Sequence, residues 1–139
     1  MSEIITKLEF IDRYRFQVGF DVEGVPSLVV DEMKPIGEGL GPNPTRLLSI
    51  AVGHCVSSSL LYCLNKVRVK AKKLETTVKA NIARNQKGYF RIASMDVQIH
   101  LEVSEEDKKR VQRCLSTFEN YCTVTQSVRK GIDVKVNVN

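Results

Sequence analysis

The chain has 139 residues and a formal net charge of +5, with 42% hydrophobic and 27% charged residues. This length predicts one domain, residues 1–139, with a core large enough to fold without cross-links. The composition is that of a soluble globular protein, no stretch approaches the roughly 18 apolar residues of a membrane span, and no secretory signal is visible. We therefore expect a cytoplasmic protein with no membrane partner.

The basic residues are dispersed along the chain. Their densest cluster, residues 66–73, lies where a helix gives way to a strand. Cations near the carboxyl end of a helix are favoured by the helix dipole alone. The nearest aromatic residues, Tyr62 and Tyr89, do not interleave with the cluster as the stacking platforms of single-stranded nucleic-acid sites do. We expect no nucleic-acid partner. A basic nucleic-acid-binding protein is kept as the third of three hypotheses, after the two that are described below.

The amino-terminal third predicts an antiparallel meander. Apolar and polar residues alternate over residues 14–22, which indicates a half-buried strand. A weaker strand precedes it over residues 4–10, and a turn at residues 23–26 leads into a third over residues 27–31. Three glycines and three prolines between residues 33 and 44 then predict a loop.

A long helix follows this loop. Asn43 suits the N-cap and Pro44 the first helical position, and the helix should continue to about Asn65. Its apolar residues lie around most of the circumference, so it should be buried on nearly all sides. A chain of this size can scarcely enclose such a helix, and we expect a second subunit to cover the remaining face. The small residues Gly53 and 57–59 would let another backbone approach closely.

The next predicted element is a long hairpin. Alternating residues over 74–82 form its first strand, residues 85–88 turn the chain, and the return strand places its apolar residues inward over 95–103.

Two helices are predicted after the hairpin. Ser104 and Asp107 form a capping-box pattern, which starts a helix that continues to about Tyr121. A short helix over residues 122–130 follows, and Gly131 stops it.

Apolar residues at alternate positions over 132–138 predict a final strand. The element order is then β-β-β-α-β-β-α-α-β. This order places the chain in the α+β class, with antiparallel strands and a long central helix.

Four cysteines stand at positions 55, 63, 114 and 122. A static disulfide framework is not expected in a reducing compartment. No C-x-x-C spacing and no histidine pair indicates a metal, so we expect no cofactor. Cys63 and Cys114 follow apolar neighbours and are expected to be core residues. Cys55 alone also fits a core position, whereas Cys122 begins a short helix whose dipole lowers the pKa of a thiol.

Two segments resemble sequence motifs of a known family. Residues 41–55 carry asparagine, proline, a leucine pair, alanine and Cys55 in the spacing N-P-x-x-L-L-x-x-A-x-x-x-C. Residues 122–128 are similar to a second motif, C-P-V-S-x-x-L, and residues 131–134 follow in the place of a closing strand. These are motifs of the OsmC/Ohr family, and the element order matches too. The resemblance implies antiparallel sheets around the buried helix of an intertwined homodimer.

The resemblance also implies an activity. Cys55 corresponds to the peroxidatic cysteine, which attacks an organic hydroperoxide and becomes a sulfenic acid. Cys122 corresponds to the cysteine that condenses with it to a disulfide, and a lipoyl or thioredoxin-like dithiol reopens that disulfide. An apolar wall around Cys55 would favour alkyl or lipid hydroperoxides.

The thiolate of Cys55 needs a cationic neighbour. Cys55 lies eleven residues past Pro44, roughly 16 Å along the helix, too far for the helix dipole to act. The family supplies an arginine, for which Arg13 and Arg15 are the possibilities here; strand alternation favours Arg13.

Two positions depart from the family pattern. The glutamate that holds the family's arginine is Thr45 in this chain, and Thr123 replaces the proline of the second motif. These departures motivate the alternative hypothesis of a catalytically weak OsmC-like dimer that binds a hydrophobic or thiol ligand.

Overall fold

The computed structural model describes residues 2–139. It divides into two compact units, one up to Leu48 and one from Ser49 onward. Each unit is considered by itself, and the single domain expected from the chain length stays a prediction.

The first unit contains the predicted antiparallel meander. Its strands, in spatial order, are β1 (Lys7–Asp12), β2 (Arg15–Gly19) and β3 (Leu28–Val30). In the sheet Leu8 pairs with Val18, and Phe16 pairs with Val30. The central strand is shorter than the alternation predicted. Arg13 and Asp21, with φ of 49° and 53°, turn the chain just outside its two ends, because a positive φ is incompatible with an extended strand.

The loop predicted before the long helix is present, and a buried carboxylate orders it. Asp31 is 3% exposed and accepts backbone N–H groups of Glu32, Glu38 and Leu40 at 2.8, 3.2 and 3.1 Å. Burial by itself raises the pKa of Asp31, but these N–H groups outweigh it, so the pKa is lowered.

The long helix, α1 (Pro44–Lys66), begins where the sequence predicts. The side-chain Oδ1 of Asn43 accepts the backbone N–H of Arg46 at 3.0 Å, which is the expected N-cap bond.

The second unit combines the remainder of α1 with a hairpin and short helices. Its further elements are β4 (Lys73–Arg84), β5 (Phe90–Glu102), a 3₁₀ turn (Glu105–Asp107), α2 (Lys108–Leu115), a second 3₁₀ turn (Phe118–Tyr121) and α3 (Thr123–Lys130). Strands β4 and β5 are antiparallel and pair along their whole length. Together with the first unit, these elements confirm the predicted α+β class.

One face of α1 forms the core of this unit. Val52, Val56, Leu60 and Leu64 recur every four residues and are buried, and the inward residues of β5 pack against them as predicted. Those residues are Met95, Val97, Ile99 and Leu101.

The small residues of α1 do not all serve a second subunit. A side chain at Gly53 would collide with Val78 of β4, and the hydroxyl of Ser57 lies 2.5 Å from that of Thr76. Gly53 and Ser57 therefore bring α1 close to its own hairpin. The expectation that both serve another chain was wrong.

The opposite face of α1 is open in the single chain. Ile50, Leu61 and Tyr62 are 61%, 40% and 54% exposed. The helix is thus not enclosed on all sides by its own chain. Among residues 2–139, α1 is the one helix long and apolar enough to cross a membrane by length and composition, with a mean hydropathy of 1.7. The statement that no stretch approaches this limit was wrong, although core helices of soluble proteins also reach it.

The helix expected from Ser104 to Tyr121 is broken. The side chain of Ser104 makes no cap hydrogen bond, and Asp107 pairs instead with Arg110. Helix α2 stops at Leu115, just before two hydroxyl residues that both donate to the carbonyl of Arg113. Such side-chain bonds compete with the next helical turn.

The predicted final strand is not formed among residues 2–139. Gly131, with φ of 76°, ends α3 as expected, but residues 131–139 pair with no strand. Val134, Val136 and Val138 are 75%, 80% and 92% exposed. Alternation predicts an extended chain, whereas a strand also needs a neighbouring backbone to bond with.

A disulfide joins Cys63 of α1 to Cys114 of α2, with the Cα atoms 5.7 Å apart. The expectation that both would be plain core thiols was wrong. Spacing along the chain gave no signal of this pair, because the two helices meet only through tertiary packing.

Candidate functional site

The two cysteines singled out by the sequence motifs lie side by side in the second unit. Cys55 is in the middle of α1, and Cys122 is the residue that precedes α3, with extended φ and ψ of −80° and 94°. Each thiol influences the pKa of the other, as close neighbours do, and the backbone N–H of Val124 donates to Cys55 Sγ at 3.4 Å. Both are free thiols. The start of α3 therefore brings two sulfurs together from distant parts of the sequence.

The two thiols differ in access. Cys122 is fully buried, with 0% of its surface exposed, whereas Cys55 is half-buried. An incoming molecule therefore meets the sulfur of Cys55 first.

The pKa of Cys122 is lowered. Burial by itself raises the pKa of this thiol, but hydrogen bonds to the thiolate outweigh it. The largest comes from the hydroxyl of Thr125, whose oxygen lies 2.9 Å from Cys122 Sγ, and the Cys55 thiol adds a second. The backbone N–H of Thr125 and the side chain of Ser59 act in the same sense. The position of Cys122 at the start of a helix predicts a lowered pKa, and the polar groups at that start cause it.

The pKa of Cys55 is raised. Burial is the main cause, and the adjacent Cys122 adds to it, while the N–H groups of Val124 and Thr125 oppose the rise. In the reduced pair Cys122 is therefore the more acidic thiol.

The pair lies at the buried apolar cluster of this unit. Val52, Val56 and Phe118 belong to the same buried cluster, and Val124 packs against it next to Cys55.

The two arginines considered for the site lie in the first unit. The guanidinium of Arg13 pairs with Glu38 at 3.2 Å, and its side chain is 54% exposed. Arg15 binds Asp12 through Nε at 2.7 Å, and this bond is the main cause of its raised pKa. The assignment of Arg13 to the site stays a prediction. Sequence reasoning did not single out Glu38, which is the carboxylate partner of Arg13.

No metal centre is indicated in the part of the chain that the structure describes. Within residues 2–139, no three side chains among histidine, cysteine, aspartate and glutamate converge as metal ligands do.

Replacement of Thr125 by valine is expected to raise the pKa of Cys122, because the hydroxyl that stabilises its thiolate is lost. The ultraviolet absorbance of the thiolate, followed in a pH titration, measures this. Since the native pKa is lowered, the thiolate signal disappears as the pH falls, and in the variant it should disappear at a higher pH.

Thr123→Val is the matched control for this titration. It makes the same chemical change on the same helix at an exposed position. Equal titration curves for Thr125→Val and Thr123→Val would show that the Thr125 hydroxyl does not stabilise the thiolate.

Comparison with known proteins gives one family and one fold. The model of the family described as OsmC-like protein matches residues 37–137. No curated protein matches the chain.

Three solved structures illustrate the fold. An OsmC-like protein of unknown function from Vibrio cholerae superposes with a TM-score of 0.78 at 13% identity, over 91% of this chain and 94% of its own. An organic hydroperoxide resistance protein OsmC from Legionella pneumophila, described as a predicted redox protein and regulator of sulfide bond formation, gives 0.67 at 18% identity, over 97% and 95%. A candidate organic hydroperoxide resistance protein from V. cholerae, with captopril in one of its active sites, gives 0.65 at 22% identity, over 96% and 90%.

Proposed function

Because the chain belongs to the OsmC-like protein family, we propose that it is a cysteine-based peroxidase that reduces organic hydroperoxides through Cys55 and Cys122. The observation that carries the proposal is the contact of these two free thiols, one of them accessible and the other buried. Two of the similar structures bear names that refer to organic hydroperoxide resistance. Such a pair has the arrangement that a two-cysteine peroxidase needs.

The proposed reaction has two steps. The sulfur of Cys55 attacks the terminal oxygen of the hydroperoxide, the O–O bond breaks, and the departing alkoxide takes up the thiol proton and leaves as an alcohol, so that Cys55 becomes a sulfenic acid. The sulfur of Cys122 then attacks the sulfenic sulfur and water leaves, which forms the Cys55–Cys122 disulfide. In total, two thiols and one hydroperoxide become one disulfide, one alcohol and one water.

Because Cys122 is more acidic than Cys55, we propose that Cys122 also takes part in the first step. When Cys122 is ionised, the hydroxyl of Thr125, whose oxygen lies 2.9 Å from Cys122 Sγ, stabilises the thiolate, and the neighbouring Cys55 thiol can donate to it. As Cys55 attacks, its proton passes to Cys122, which acts as a general base. Cys122 then passes this proton to the departing alkoxide, which leaves as the alcohol, and attacks the sulfenic sulfur as a thiolate; the hydroxide that this attack displaces takes up a proton and leaves as water.

Arg13 is the proposed cationic residue of the site, with Glu38 as its anchor. The two side chains lie 3.2 Å apart, and a guanidinium held by a carboxylate has a defined orientation. Glu38 would then do the work that the family pattern places at position 45, where this chain has threonine.

The apolar surroundings of Cys55 support alkyl or lipid hydroperoxides as substrates. A small dithiol of the lipoyl or thioredoxin-like kind is the proposed reductant, because exchange with the disulfide returns both thiols. We place this cycle in the cytoplasm, where such reductants keep thiols reduced.

The test is disulfide mapping by mass spectrometry after addition of one equivalent of cumene hydroperoxide. The expected product is a peptide pair joined through Cys55 and Cys122. In Cys122→Ser the reaction should stop at a Cys55 sulfenic acid, which dimedone traps. Oxidation that spares Cys55 in both proteins contradicts the proposed function.

We further propose that the working form is a homodimer built on the open face of α1. Ile50, Leu61 and Tyr62 expose apolar surface on this helix, and the extended segment 132–138 exposes its valines beside unpaired backbone. Apolar surface and unpaired backbone of this extent are typical of subunit interfaces.

Ile50→Asp is expected to convert the dimer to monomers, since it places a carboxylate in the proposed interface. Sedimentation equilibrium measures the mass of both proteins. Gln112→Asp, at an exposed position of α2, shows whether any added charge has this effect. A native protein that sediments as a monomer at all concentrations contradicts the dimer.

A second function is supported by a specific departure in the sequence. Thr45 replaces the carboxylate that orders the family's arginine, and a similar structure holds captopril in an active site. The chain would then be a weak catalyst that binds a hydrophobic or thiol ligand beside Cys55. Native mass spectrometry that finds such a ligand, in protein that consumes no peroxide, favours this function; fast peroxide turnover with no bound ligand excludes it.

A further inference from the structure

The second unit contains another pair of cysteines, which joins the same parts of the chain as the proposed catalytic pair. The disulfide runs from Cys63 to Cys114, and each of these residues is eight positions from a member of the first pair. Along α1, eight residues separate Cys55 from Cys63 by roughly 12 Å. Two sulfur contacts therefore connect α1 to residues 114–122, one about two helical turns from the other.

The segment that carries Cys122 has little rigidity of its own. Between Ser104 and Cys122 it consists of two 3₁₀ turns and the eight residues of α2. Helices of this length are marginal without tertiary contacts. The position of Cys122 therefore depends on what fastens this segment to α1.

Buried side chains, a hydrogen bond and the disulfide provide that attachment. Val111, Cys114 and Phe118 are buried in the core cluster, and the guanidinium of Arg110 donates to the carbonyl of Val67 at 3.1 Å. The Cys63–Cys114 disulfide is the covalent contact among them.

We propose that Cys63 and Cys114 form a second, reversible thiol–disulfide pair, whose oxidised form positions Cys122 against Cys55 and so speeds the closure of the catalytic disulfide. Both are positioning residues, because they act through the placement of Cys122. The reaction that they serve rests on the proposed function, whereas the attachment itself rests on the disulfide and the packing described above.

Access determines how the disulfide opens. Cys63 is half-buried and Cys114 is fully buried, so a dithiol attacks the sulfur of Cys63. The S–S bond breaks, Cys114 takes up a proton as a thiol, and the reductant is bound to Cys63. The second thiol of the reductant then displaces Cys63. Two protein thiols and one oxidised, cyclic dithiol result, and the reverse exchange restores the disulfide.

The first experiment measures the positioning with diamide, which oxidises adjacent thiols and needs no hydroperoxide. Closure of Cys55–Cys122 should be about tenfold slower in Cys63→Ala/Cys114→Ala than in the native protein, as expected when a reacting group is no longer held in place. Cys63→Ala alone removes the same bond, leaves the buried Cys114 side chain intact, and should show the same slowing.

Val111→Ala is the control for general loosening. It removes buried surface from α2 but keeps both cysteine pairs. A merely structural role would slow closure equally in this control and in the cysteine variants, and that result overturns the positioning role. Unchanged closure in the cysteine variants overturns it as well.

The second experiment measures reversibility in the folded protein. Native protein is treated with dithiothreitol, and thiols are labelled with two isotopic forms of one alkylating reagent. We expect Cys63 and Cys114 to become labelled while the circular dichroism of the fold is retained, and the disulfide to return with oxidised dithiothreitol. A disulfide that opens only when the protein unfolds overturns the reversible pair. If the protein does not react with cumene hydroperoxide, the proposed function is excluded, but the results of both experiments can still be interpreted.

Discussion

Cys55→Ser should react with cumene hydroperoxide at least about three orders of magnitude more slowly than the native protein, because a serine hydroxyl cannot replace the thiol nucleophile. Stopped-flow mixing under single-turnover conditions measures this rate. The size of the effect follows from access: Cys122 is fully buried, so no second sulfur is available to the peroxide at this site.

Cys122→Ser distinguishes the two steps. The variant should retain the oxidation of Cys55, at a lower rate because Cys122 is no longer present as the base. It should form no disulfide. The half-buried Cys63 is held in its disulfide with Cys114 and does not supply a free thiol in the oxidised protein. A Cys55→Ser protein that reacts as fast as the native one would remove the peroxidase proposal, and the ligand-binding function would then be the better account.

The second large effect concerns stability. Loss of the Cys63–Cys114 disulfide, which links residues 51 positions apart, is expected to lower the free energy of unfolding by about 4 kcal/mol, because the unfolded chain is no longer constrained. Small domains have only roughly 5–15 kcal/mol in total, so this is a large share. Urea denaturation of Cys63→Ala/Cys114→Ala measures the loss. Alanine is chosen because a serine hydroxyl at the fully buried position 114 would lack a partner.

The native protein provides its own control for this measurement. Addition of dithiothreitol should lower its urea midpoint toward that of the variant, and it should leave the midpoint of the variant unchanged. An equal midpoint for the native protein with and without reductant, with the disulfide shown to be open, contradicts the stabilising role.

Local sequence signals account for much of the fold. The alternation in residues 95–103 places Met95, Val97, Ile99 and Leu101 on the core side of β5, as the structure confirms. Asn43 and Pro44 fix the start of α1, because an N-cap bond and a preset φ act within a few residues.

Sequence patterns whose outcome depends on another part of the chain predicted the structure less well. The valines of residues 132–138 alternate as in a strand, yet no strand forms, because the bonds that make a strand come from another segment. The pattern at Ser104 failed for a related reason: Asp107 can bind Arg110 in place of a backbone N–H, and only the folded geometry selects between them.

The sequence alone determined the α+β class, the long apolar helix and, through two motifs, the choice of Cys55 and Cys122, since each depends on the order and spacing of residues along the chain. The tertiary structure alone decided that Cys63 bonds to Cys114 and that Glu38 partners Arg13. These are contacts between residues that the fold brings together. Their energies depend on distance and burial in space, which the linear order of residues does not contain.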